Sequence, residues 1–189
     1  RDTEFLGALF ATHGREFDTA RLDIENEPPD RVVDRETNRI ARFDAEWNDT
    51  DVLLKSEGGV QNLLAGVPRL LLDLRRRRLA LDVLVDLDGR DLEWPVDELD
   101  ERLTDIGGRP MYVRPTSEVR RHHYLVRRRY EFVVAETPRC EFGVVAFRDS
   151  LETAAEIDKD ADDRDEMDRK ARRLATDRRV REPVLATLL

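Results

Sequence analysis

The chain has 189 residues, with 42 acidic against 33 lysine and arginine side chains and a formal net charge of −9. A hydrophobic content of 40% supports a folded core and excludes a disordered tail, and the length suits one α/β domain with additions or a domain plus a small appendage. The lone cysteine, Cys140, excludes a disulfide framework and a cysteine-based zinc site, and no apolar stretch reaches membrane-spanning length.

Asp2 or Thr3 can cap a first helix whose apolar face is Phe5, Leu6, Leu9 and Phe10, ending near Gly14. Pro28-Pro29 marks a turn, and Arg31 to Trp47 carries many charges with weak helical periodicity. Val52-Leu53-Leu54 reads as a short buried strand, with Ser56-Glu57-Gly58-Gly59 as the loop after it. Val60, Leu63, Leu64, Val67, Leu70, Leu71 and Leu74 then recur at helical spacing. Pro68 lies inside that pattern and predicts a kink or two abutting helices. The cations of Arg75 to Arg78 suit the negative end of the helix dipole. Leu81, Val83, Leu84 and Val85 build the next strand, covered on both faces as in a parallel sheet. Strand, Gly-rich turn, helix and strand in succession predict one βαβ unit with a right-handed crossover and two parallel strands. The helix from Thr3 to His13 would complete an earlier βα step if a strand precedes Arg1.

Pro95 opens a short helix with Val96, Leu99 and Leu103, and Met111-Tyr112-Val113 reads as a strand. Tyr124 to Phe147 is rich in β-formers and is punctuated by Pro138 and Gly143, which predicts antiparallel strands. From Ser150 onward the chain is strongly charged and helix-prone, with Leu151, Ala154, Ala155, Ile157, Met167 and Leu174 as a thin apolar stripe. The expected architecture is therefore α/β: a parallel sheet of βα units, a C-terminal β-hairpin region and a charged terminal helix. It divides into a core over 1–115 and an extension over 116–189 packed on the same domain.

The strand through Val85 ends in Asp86-Leu87-Asp88-Gly89. The carboxyl ends of such strands are where open α/β sheets place ligands. Two carboxylates there repel unless a cation or a proton offsets them, and magnesium, a hard ion satisfied by one or two carboxylates, suits the pair. The bland alternative is that one Asp caps the following turn and the other is solvated.

Asp-x-Asp after an apolar strand resembles the topoisomerase–primase (Toprim) domain, which pairs a strand-end glutamate with a later Asp-x-Asp to hold magnesium. Asp2-Thr3-Glu4-Phe5-Leu6 is similar to the helix start after that family's Glu-Gly turn. Gly58-Gly59-Val60-Gln61-Asn62-Leu63 is similar to the turn into the second helix of small stand-alone Toprim-like proteins, including those related to overcoming-lysogenization-defect nucleases. The resemblance covers Asp2 to about Gly89 and implies a Rossmannoid core with Mg2+ or Mn2+ held by Asp86 and Asp88. It further implies a reaction on DNA or RNA phosphodiesters, of nuclease or nucleotidyl-transfer type, or a catalytically silent binding module of the same fold. The family glutamate is expected upstream of Arg1, with Glu57 the nearest substitute.

Val83 to Gly89 also resembles the nucleophile strand of haloacid-dehalogenase phosphatases, in which the first Asp attacks phosphorus, but here Arg90 follows where that family has Thr. A nucleotide-sugar transferase is the third family with Asp-x-Asp, and nothing else in the chain points to it. The order of elements favours the Toprim-like reading, which expects two βα steps before the pair.

Arg120, Arg121, Arg127, Arg128 and Arg129, with His122 and His123 and the interleaved Tyr124 and Tyr130, form the densest basic segment. Such a patch can track a phosphate backbone while tyrosines stack on bases; otherwise its arginines pair with nearby acids on an exposed strand. Adjacent residues on a strand point to opposite faces, so His122 and His123 do not make a metal pair. Asp158 to Asp168 lacks calcium-loop spacing and reads as a solvated helix face. Only Lys55, Lys159 and Lys170 are lysine, the other cations being arginine, and this balance resembles proteins of halophilic archaea. Salt would screen the self-repulsion of such a surface, so net acidity does not exclude a nucleic-acid partner. With no visible signal peptide, the expected compartment is a reducing cytoplasm.

Overall fold

The computed structural model describes residues 2–12, 19–22, 52–55, 59–74, 80–105 and 108–188. Glu57, Arg75 to Arg78 and the Arg31–Trp47 stretch lie outside them. The elements in chain order are α1 (Asp2–Ala11), β1 (Thr19–Leu22), β2 (Val52–Lys55), α2 (Val60–Leu74) and β3 (Leu81–Asp86), then α3 (Glu93–Asp105), β4 (Met111–Pro115) and β5 (Arg120–Arg121). They continue with β6 (Leu125–Val134), β7 (Thr137–Phe147), α4 (Leu151–Ala154), α5 (Arg164–Thr176) and α6 (Arg178–Leu188). The class is α/β, with a mixed sheet in the order β3-β7-β6-β4, β5 pairing on β6, and a separate parallel pair β1-β2.

β2, α2 and β3 arise where the hydrophobic pattern places them, but the expected βαβ pairing does not follow. Among the described residues β2 lies parallel to β1, whereas β3 lies parallel to β7, from Leu81 opposite Phe142 to Asp86 opposite Phe147. Local periodicity fixes which face of a strand is apolar, not which distant strand satisfies its amides. β6 and β7 are antiparallel neighbours joined through Ala135 and Glu136, whose φ values of 48° and 62° are the left-handed pair that suits a twisted two-residue turn. The register shifts between Phe132 and Val133, beside Pro138, which has no N–H to donate to the ladder.

β7 is covered on both sides because its side chains alternate. Phe142, Val144 and Ala146 join Val83, Val85, Tyr130 and Phe132 in a core closed by Val67 and Leu71 of α2 and Val96, Leu99 and Leu103 of α3. Val145 and Phe147 face the other way, with Leu125, against Phe5 and Leu9 of α1, Ala171 and Leu174 of α5 and Val180 and Val184 of α6. Phe5 meets Phe147 edge-to-face at 5.5 Å. α2 runs through Pro68 as one helix rather than two: burying Leu64, Val67, Leu71 and Leu74 offsets the hydrogen bond that proline cannot make. α3 begins two residues before Pro95, which sits in its first turn, where its missing N–H is harmless. On β4, the Val113 amide donates to Asp100 Oδ1 of α3 at 2.6 Å, so a helix carboxylate caps that strand amide.

The charged C-terminal region is three helices rather than one. Asp163 caps α5 by accepting from the Glu166 amide at 2.8 Å, and the first half of the acidic run is loop, its turn held by Asp158. Lys170 reaches back to Asp162 at 2.6 Å and to the Glu156 carbonyl at 2.8 Å. No helix among the described residues is long and apolar enough to cross a membrane.

Candidate anion-binding site

β3 and β7 end side by side, and their following turns are laced together by backbone. Leu87 N donates to Phe147 O at 2.9 Å, Asp88 N to Asp149 O at 2.8 Å and Gly89 N to Arg148 O at 3.0 Å. The turn itself closes through Arg90 N to Leu87 O at 2.9 Å. Asp88 and Gly89 both hold positive φ, at 49° and 77°, and glycine makes the second of these inexpensive. The opposite wall is the β5–β6 turn, tied in by Arg148 N donating to Tyr124 O at 2.9 Å.

Between these walls lies a cavity of about 530 Å3 at the carboxyl ends of the two parallel strands. It is lined by Leu87, Leu92 and Val126, by the guanidinium-bearing Arg90, Arg121 and Arg148, and by His123. The Arg90 guanidinium sits 4.1 Å from the centre of the Trp94 ring, and the Tyr124 and His123 rings meet edge-to-face at 4.3 Å. Three arginines outnumber the two lining carboxylates, Asp91 and Asp149, so this surface is locally cationic on a chain of net charge −9. Ser150, also on the wall, caps α4 by accepting from Thr153 N at 3.1 Å.

The five arginines predicted as one patch are divided by the strand alternation. Arg121 pairs with Val126 and lines the cavity, while Arg120 pairs with Arg127. Arg128 donates to Glu93 at 2.9 Å and to the Ser117 carbonyl at 2.9 Å, the ion-paired outcome. Arg127 shares its face with Arg129, and burial, Arg120 and Arg129 together lower its pKa. His122, likewise lowered by burial and by Arg127 and Arg120, belongs to that group, while His123 lines the cavity.

Asp86 ends β3, and Asp88 lies in the turn after it. Asp86 is half-buried, and its Oδ1 accepts from Leu151 N at 2.9 Å, tying the end of β3 to the start of α4. Asp88 is exposed in the turn. Among the described residues no three His, Cys, Asp or Glu side chains form a group able to hold a metal ion, and Glu57 is outside them. Asp86 is expected to act first as a structural strut. Asp86→Ala should cost about 1–2 kcal/mol in unfolding free energy by leaving the Leu151 amide without its acceptor, while Asp86→Asn should retain most of the stability. Denaturant unfolding of both variants checks this; equal loss in the two would refute the strut.

Arg90, Arg148 and the acids Asp91 and Asp149 were not singled out by the sequence as parts of this site, whereas Arg121 and His123 fell in the basic segment. The signal was present in part: Arg148-Asp149-Ser150 follows an apolar strand in the same way that Asp88-Gly89-Arg90 does. Comparison with protein-family models, with curated proteins and with solved structures found no match.

Proposed function

We propose that this chain binds nucleic acid through phosphate groups held at the cavity beyond β3 and β7. The observation that carries the reading is the convergence of Arg90, Arg121 and Arg148, with His123, on one concave surface of an otherwise acidic chain. Guanidinium forks match phosphate oxygens in two-point geometry, and an always-charged group keeps its attraction at any physiological pH. Backbone bonds between the Asp88-Gly89 turn and the Arg148-Asp149 segment hold the arginine-bearing walls in place before a ligand arrives, which lowers the ordering cost of binding.

The test is fluorescence anisotropy with labelled DNA and RNA oligonucleotides over a salt series. Three phosphate contacts to a single strand predict log K falling with log salt at a slope of about −2. Absence of binding at low salt, or a flat salt response, would refute the reading.

A Toprim-like core acting on phosphodiesters with Mg2+ or Mn2+ is the second reading. What favours it is the exposed Asp88 beside Gly89, which lines the cavity; what weighs against it is the pairing of β2 with β1 rather than β3. Metal titration of the intact protein against Asp86→Ala/Asp88→Ala separates the two, since equal affinity in both removes the metal assignment. Cleavage of an oligonucleotide that needs added metal and is lost in that variant would establish it.

A further inference from the structure

Taking the cavity as the phosphate-binding site just proposed, we propose that it seats a single unpaired nucleotide, so that the chain prefers single strands and strand ends to duplex. A site that only tracked a backbone would present cations alone. Here the same walls carry two carboxylates, Asp91 and Asp149, which repel phosphate and need a ligand that also offers hydrogen-bond donors. Tyr124, half-buried with its ring set against His123, supplies an aromatic wall. Anion, donors and planar face together are what a nucleotide carries: phosphate for the arginines, base N–H or sugar hydroxyl for the carboxylates, and a base for the Tyr124 ring.

A duplex keeps its bases stacked and paired, so it can offer this cavity only phosphate and groove edges. About 530 Å3 is room for one nucleotide unit and not for a paired helix. A carboxylate accepts from the exocyclic amino group of cytosine, adenine or guanine, whereas uracil and thymine offer only the single N3–H, so base preference should follow that division.

The experiment compares the intact protein's affinity for one oligonucleotide as a single strand and as a blunt duplex, with 5′-CMP and 5′-UMP as competitors. The single strand should bind about tenfold or more tightly than the duplex, and 5′-CMP should compete better than 5′-UMP. Tyr124→Leu, which keeps the apolar bulk that the fold uses, should reduce the single-strand advantage severalfold while leaving the salt slope unchanged. Asp149→Asn should raise affinity for all phosphates and erase the difference between the two mononucleotides. Equal binding of single strand and duplex with the expected salt slope would overturn the single-nucleotide inference alone. Failure of every oligonucleotide to bind would instead overturn the phosphate-binding reading on which it rests.

Discussion

Replacing Arg121 and Arg148 together with alanine is expected to weaken oligonucleotide binding by about a hundredfold or more. Each charge-assisted hydrogen bond contributes about 1.5–3 kcal/mol, so two lost guanidinium contacts carry about 3–6 kcal/mol. The salt slope should fall from about −2 towards about −0.7, as one phosphate contact remains in place of three. Both side chains are exposed, and the bonds that hold the turns use the Arg148 backbone, so the unfolding midpoint should not move. The Arg121→Lys/Arg148→Lys pair should keep the slope and lose part of the affinity, because an ammonium lacks the two-point fork. An unchanged slope in the alanine variant would place the phosphates elsewhere on the molecule.

The second large effect is one of stability and lies outside the cavity. Asp82 on β3 stands opposite Gly143 of β7, whose next neighbour in the row is Arg129 of β6. Its Oδ1 is buried without a hydrogen-bond partner. Burial pushes its carboxyl from 3.8 up to about 6, with Arg129 and the Gly143 amide pulling against that rise. Because the folded value is raised, the native state holds the proton more tightly than the unfolded chain does. This contribution to stability is complete below about pH 4 and is lost as pH rises through about 6. A rise of that size corresponds to at most about 3 kcal/mol at neutral pH. Asp82→Asn, which keeps the shape and stays neutral, should therefore raise unfolding free energy at about pH 7.5 by up to about 3 kcal/mol and match the parent near pH 4. Denaturant unfolding across that range measures it, and parallel curves for the two proteins would show that the carboxyl is not strained.

The elements that were legible in the sequence share one property: their apolar positions repeat over enough residues to fix a face. The stretch over 125–147 reads as β because its strands lie between two helical layers, so Phe142, Val144, Val145 and Phe147 are all buried. α2 and α3 read as helices because Val67, Leu71, Val96, Leu99 and Leu103 fall on the face that meets the sheet. Where a local signal had two readings, the fold chose between them. The acidic run from Asp158 is loop before it is helix, because Asp163 serves as an N-cap. Arg121 lines the cavity while Arg120 joins the face of Arg127, because neighbours in sequence take opposite faces, and Arg128, on the face of Arg121, is paired with Glu93.

Asp86-Leu87-Asp88-Gly89 marks the same division. Its sequence alone determined that a buried strand ends there in a turn, because a hydrophobic run cannot continue through two carboxylates and a glycine without leaving the core. It also pointed to the carboxyl end of that strand as the place to look for a ligand. Only the tertiary structure decided that the parallel neighbour of β3 is β7, that Asp86 holds Leu151, and that Arg90, Arg121, His123 and Arg148 line one cavity. Periodicity is a property of neighbours along the chain, whereas a site is assembled from segments whose meeting is set by the packing of both sheet faces at once.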